Sequence, residues 1–155
     1  MRATPFQVSL IGEIELPCEH ESPGTARTVV NEWLGKNHPA SFNVRLVVSE
    51  LVTNSVRYAS LYTSKGIGLR LYDVGEAVRV EVQDSGAKHA YPKLDAPQSD
   101  IENSVREGGR GLFIVEKYSV LWGVTFIQNP LGCIVWAEVP LQEPTPEEFD
   151  STVRA

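Results

Sequence analysis

The stretch Phe42–Ala59, FNVRLVVSELVTNSVRYA, constrains the chain more than any other. Read at a helical period, Val44, Val47, Val48, Leu51 and Val52 fall on one face, and Glu50, Asn54 and Arg57 form a polar stripe along its border. The apolar face belongs against a core, and its border is where chemistry can meet that core. A carboxylate one turn before a carboxamide can offer a base and a metal or phosphate ligand to one bound molecule. The same two residues can equally be a solvated helix edge, so the rest of the chain has to decide.

Before this helix, Phe6 to Leu16 alternates loosely around Gly12, as a strand pair with a turn or as one interrupted strand at a sheet edge. A polar turn after Pro17 leads into a second helical pattern, with Val29, Val30, Trp33 and Leu34 in register and Gly35 placed to stop it. Ser22 is the expected cap, with Pro23 at the first helical position. Arg27 near its start reads as a surface charge. His20, His38 and His89 sit in loop-like surroundings and suggest no ligand set.

After a loop at Ser60 to Gly66, IGLRLY and AVRVEVQD flank the short link DVGE, a hairpin signal centred on Gly75. In the second run Val78, Val80 and Val82 face one way, while Arg79, Glu81 and Gln83 face the other. The run stops at Asp84-Ser85-Gly86. Residues 87–108 have no clear period over more than twenty positions, as in a functional lid or a disordered stretch, which marks them as the best candidate for a moving part. Gly108-Gly109-Arg110-Gly111 then opens a helix with Leu112 and Val115 on one face, and VLWGVTFIQ and GCIVWAEVP form a second hairpin. Residues 1–140 read as a single domain, and 141–155 as an acidic, proline-containing tail expected to be disordered.

A length of 155 residues suits one domain with a core that needs no disulfide or metal staple. The net charge of −6 argues against a direct nucleic-acid binder. No segment approaches the roughly 18 apolar residues of a membrane span, and the expected location is cytoplasmic. Cys18 and Cys133 belong to no metal-like spacing and are expected to be idle thiols in a reducing compartment.

Two further constellations bear on function. A glycine cluster opening a helix brings bare backbone N–H groups against phosphate, helped by the helix dipole. The pattern G-x-x-x-x-G-K-[ST] is absent, as is G-x-G-x-x-G after an early strand, so neither a P-loop nor a Rossmann domain is supported. Asp84 closes a strand two residues before Gly86. A carboxylate there can accept a hydrogen bond from an exocyclic amine, and a glycine beside it lets a flat ring approach the backbone.

In this order the three pieces resemble the GHKL, or Bergerat-fold, ATPases. Glu50-Leu51-Val52-Thr53-Asn54-Ser55-Val56-Arg57-Tyr58 resembles the N box, Asp84-Ser85-Gly86 the G1 box and Gly109-Arg110-Gly111-Leu112 the G2 box. The resemblance is greatest to the small anti-sigma-factor serine/threonine kinases and the stand-alone ATP-binding regulatory proteins of actinobacteria. It implies an α/β two-layer sandwich, with a mixed, mostly antiparallel sheet covered on one face by helices. It implies ATP and Mg²⁺ as cofactors, Glu50 as general base, Asn54 as the magnesium ligand and Arg57 near the phosphates. By the same resemblance Asp84 receives the adenine amino group and Gly86 admits the ring. Gly109, Arg110, Gly111 and Leu112 contribute to the phosphate loop, over which residues 87–108 close. Arg57, Arg106 and Arg110 all remain open as the residue that reaches the terminal phosphate. The implied partners are proteins, a sigma factor, a STAS-type anti-sigma-factor antagonist or both, with a homodimer left open. A nucleotide-binding module that sequesters a partner without catalysis is the alternative.

Overall fold

The computed structural model describes residues 7–59, 66–85, 111–128 and 131–141. They form β1 (Ser9–Leu16), α1 (Ser22–Leu34), α2 (Ser41–Ala59), β2 (Ile67–Asp73), β3 (Ala77–Asp84), α3 (Gly111–Tyr118), β4 (Leu121–Gln128) and β5 (Leu131–Pro140). The strands lie in one sheet in the order β1-β2-β3-β5-β4. Each neighbouring pair is antiparallel. The expected two-layer α/β architecture therefore holds, with both predicted hairpins present as β2–β3 and β4–β5.

The two layers meet where the period-2 and period-3.6 patterns place apolar residues. Val78, Val80 and Val82 of β3 share a core with Leu69 and Leu71 of β2 and with Ala137 and Val139 of β5. From the helix layer, Val44, Val47, Val48, Leu51 and Val52 of α2 enter the same core, joined by Val30 of α1 and by Leu112 and Val115 of α3. Each valine or leucine so buried contributes about 1.5–3 kcal/mol relative to exposure. The strong β propensity of the valines in α2 is thus outweighed by tertiary packing.

The other face of the sheet is polar. Arg70 bridges Glu13 at 3.6 Å and Glu81 at 3.9 Å. Arg79 bridges Glu81 at 3.0 Å and Glu138 at 3.5 Å, and its guanidinium carbon lies 4.3 Å from the centroid of the Trp136 ring. Side chains this exposed contribute little per pair, about 0–1 kcal/mol. What they do is keep this face polar where the opposite one is apolar.

Two local features differ from the sequence expectation or sharpen it. The segment around Gly12 is one edge strand: β1 pairs with β2 throughout, and its register shifts between Leu10 and Gly12, leaving Ile11 as the extra residue. The bulge turns Gly12 toward the helices, where the Trp33 ring of α1 covers it. A Cβ at position 12 would overlap three atoms of that ring, Cδ2, Cε2 and Cε3. Gly12→Ala is therefore expected to destabilise the protein by about 1–3 kcal/mol, the range for overpacking. At about 2–4 °C per kcal/mol for a domain of this size, the melting temperature should fall by roughly 2–12 °C. An unchanged melting curve would show that Trp33 moves aside without cost.

Helix α1 starts differently from its predicted cap. Glu21 occupies the N-cap position without a side-chain cap bond, and Ser22 is the first helical residue, so Pro23 falls second. The Ser22 hydroxyl is buried and donates to the Pro17 carbonyl instead, fastening the turn that precedes the helix. The C-terminus is as expected: Gly35 takes φ 80° and its N–H donates to the Asn31 carbonyl at 2.9 Å. No described helix is long and apolar enough to cross a membrane. Residues 60–65, the expected lid 87–108 and the expected tail from residue 142 lie outside the described residues.

Candidate functional site

Helix α2 carries Glu50, Asn54 and Arg57 at i, i+4 and i+7, a rise of about 10 Å along one side. Glu50 and Asn54 are half-buried and Arg57 is exposed, so the stripe runs from the edge of the core out to solvent. One residue beyond Asn54, Ser55 points into the layer interface and is only 3% exposed. Asp84, the last residue of β3, has the same low exposure and lies on the helix-facing side of the sheet with Val78, Val80 and Val82. The two side chains meet: Ser55 Oγ donates to Asp84 Oδ2 at 2.8 Å.

That contact joins two of the three constellations read from the sequence. The α2 turn bearing Asn54 and the strand end bearing Asp84 belong to one continuous structure, with Ser55 and Asp84 29 residues apart in the chain. The third constellation is represented by its downstream half. Gly111 is the first residue of α3, and Leu112 is buried in the common core, with α3 packed on α2. Gly86, Arg106, Gly109 and Arg110 lie outside the described residues.

Two side chains to which the sequence gives no role also belong here. The Cys18 thiol is half-buried, with Sγ 4.0 Å from the Ser55 carbonyl oxygen and 3.9 Å from that of Val56. Burial pushes its pKa up, and the nearby Asp84 charge adds to the shift, which places a carboxylate field at the thiol. Such a thiol is a poor nucleophile at neutral pH. Arg27 is exposed, as expected, but its Nη1 donates to Ser49 Oγ at 2.7 Å, next to Glu50 in the chain. It ties α1 to α2.

Ser55 is the residue that the sequence patterns did not single out. It follows Val48, Leu51 and Val52 at i+7, i+4 and i+3, which puts it on the apolar face of α2. A hydroxyl at a core position needs a partner, and that need is a signal for a nearby acceptor.

A family model for the histidine kinase-like ATPase domain matches residues 16–137. The chain belongs to this family. No curated protein matches the sequence significantly. Within the GHKL family the domain is one that binds ATP, usually with Mg²⁺, and the match runs from the end of β1 to within β5. It therefore spans α2, Asp84 and α3, so the N-box, G1 and G2 resemblances all fall within it.

The described residues fit a GHKL ligand in their chemistry. Among them there is no group of three or more His, Cys, Asp or Glu side chains arranged to hold a metal ion. A half-buried carboxamide such as Asn54 is the kind of single oxygen donor that suits Mg²⁺ when phosphate and water supply the remaining ligands. A buried carboxylate such as Asp84 accepts hydrogen bonds and suits the amino group of a base.

Proposed function

We propose that this GHKL domain is an ATP-dependent serine/threonine protein kinase of the anti-sigma-factor type, which phosphorylates an anti-sigma-factor antagonist and binds a sigma factor. The observation that carries the reading is the division of α2. Glu50 lies at the rim one turn from Asn54, while the adjacent Ser55 is locked to the buried Asp84.

In this reading Asp84 would bind the adenine amino group and Asn54 would be the protein's ligand to Mg²⁺. Bound Mg·ATP supplies the phosphoryl group and the charge neutralisation for its transfer. Glu50 would accept the proton from the partner's serine hydroxyl as that oxygen bonds to the γ-phosphorus of ATP and the bond from phosphorus to the β,γ-bridging oxygen breaks, with ADP as the leaving group. In the same reading Arg57, exposed at the end of the stripe, meets phosphate oxygens or the incoming partner. The partners are proteins, consistent with a net charge of −6, which gives no general attraction to nucleic acid.

A thermal-shift titration with Mg·ATP, Mg·ADP and Mg·GTP tests the nucleotide part. A ligand present at 100 times its Kd and bound only by the folded state adds about 2.7 kcal/mol. For a domain of this size that corresponds to a rise of roughly 5–10 °C. The expected result is such a rise with both adenine nucleotides and a smaller one with Mg·GTP. Unshifted melting with all three would remove the nucleotide reading.

A further inference from the structure

Asp84 and Ser55 form a buried polar contact across the layer interface. A carboxylate at this exposure loses most of its hydration and needs polar partners in return, of which the Ser55 hydroxyl is one. Two apolar residues of similar shape would serve the layer interface at least as well. Within a helix, moreover, a serine hydroxyl has an easier partner in the carbonyl one turn earlier, as Thr53 shows by donating to the Ser49 carbonyl at 2.6 Å. Ser55 instead reaches across the interface to Oδ2 of Asp84.

Such a contact fixes direction. A carboxylate at the end of a strand can rotate about its χ2, which is a broad torsion. A donor on one oxygen selects one orientation of the group. The carboxylate has about four lone-pair sites, so a bond from Ser55 is compatible with acceptance from a ligand in a defined direction. The donor sits immediately after Asn54 on the same turn of α2. One helical turn thus sets both the proposed phosphate-side ligand and the aim of the proposed base-side acceptor.

We infer that Ser55 is a positioning residue for nucleobase selection: its hydroxyl orients Asp84 so that the carboxylate favours a purine carrying a 6-amino group. This inference rests on the assignment of Asp84 to the adenine amino group. Ser55 acts through Asp84 and need not touch the nucleotide.

The test compares binding of ATP with binding of purine riboside triphosphate, which lacks the 6-amino group, by calorimetric titration of the full chain. Wild type is expected to prefer ATP. Ser55→Ala should reduce that preference by about tenfold, through weaker ATP binding with the affinity for the deaminated analogue unchanged. Alanine removes a single atom and is the better helix former, so the fold should be retained, and a melting curve verifies this. Ser55→Thr, which keeps the hydroxyl, should retain the preference. In an Asp84→Ala background, removal of the Ser55 hydroxyl should have no further effect on selectivity, since the two act as one unit.

A Ser55→Ala protein that keeps the wild-type preference overturns the inference and leaves the nucleotide reading standing. Equal weakening of both nucleotides also overturns it, because a purely structural role would act in that way. Failure of the wild type to bind ATP overturns the nucleotide reading first, and this inference with it.

Discussion

Glu50→Gln is expected to leave the Kd for Mg·ATP within about twofold of wild type while lowering phosphate transfer to a partner serine by about 10²–10⁴-fold, the range that a positioned general base contributes. Glutamine preserves the size of the side chain and its ability to hydrogen-bond, but it cannot take up the serine proton. Glu50 is half-buried at the border of α2, whereas Asp84 and Ser55 are enclosed in the layer interface. Loss of the Glu50 charge should therefore spare the base pocket and the core. Transfer of label from γ-labelled ATP to a candidate antagonist measures the chemistry, and calorimetry measures binding. Transfer at the wild-type rate would take the base role from Glu50. Tight capture of a sigma factor by wild type with no transfer at all would identify a partner-sequestering module that binds nucleotide without using it.

Part of the candidate site was legible in the sequence because it is local to one helix. Glu50, Asn54 and Arg57 lie on one helix, so a single local period fixes their relation, and the burial of Val44, Val47, Val48, Leu51 and Val52 bears that period out. The hairpins were legible for a similar reason: their registers depend on short links and on alternating side chains, as at Gly75. The Ser55–Asp84 bond depends on how α2 lies across β3. No local pattern encodes that crossing, and only the oddity of a serine on a valine-rich face hinted at it.

The same limit appears at the edge of the sheet. Gly12 was visible as an interruption, but its cause is the Trp33 ring of α1, which lies beyond the turn in the next element of the chain. Ser22 shows the converse. Its residue type suits a helix cap, yet the tight turn after Pro17 brings a carbonyl within reach and redirects the hydroxyl. Local propensity placed each of these residues near its element, and the choice of partner came from packing.

Replacing Asp84 with Asn probes the other end of the site, with an effect expected on selectivity. A hydrogen bond to a charged group contributes about 1.5–3 kcal/mol, so loss of the charge should weaken ATP binding by roughly 10–100-fold. Asparagine is nearly isosteric and can still accept from Ser55 Oγ through its carbonyl oxygen, so the contact between α2 and β3 should survive. GTP presents a carbonyl where ATP presents an amine, and a carboxylate facing that carbonyl repels it. Removing the charge should therefore leave GTP binding unchanged or improve it, and the ATP-over-GTP ratio should fall by at least as much as the ATP affinity does. Equal losses for the two nucleotides would mean that position 84 supports the pocket without reading the base. If the ratio collapses while Glu50→Gln leaves it intact, the rim of α2 takes no part in reading the base, and that task falls to the buried contact between α2 and the end of β3.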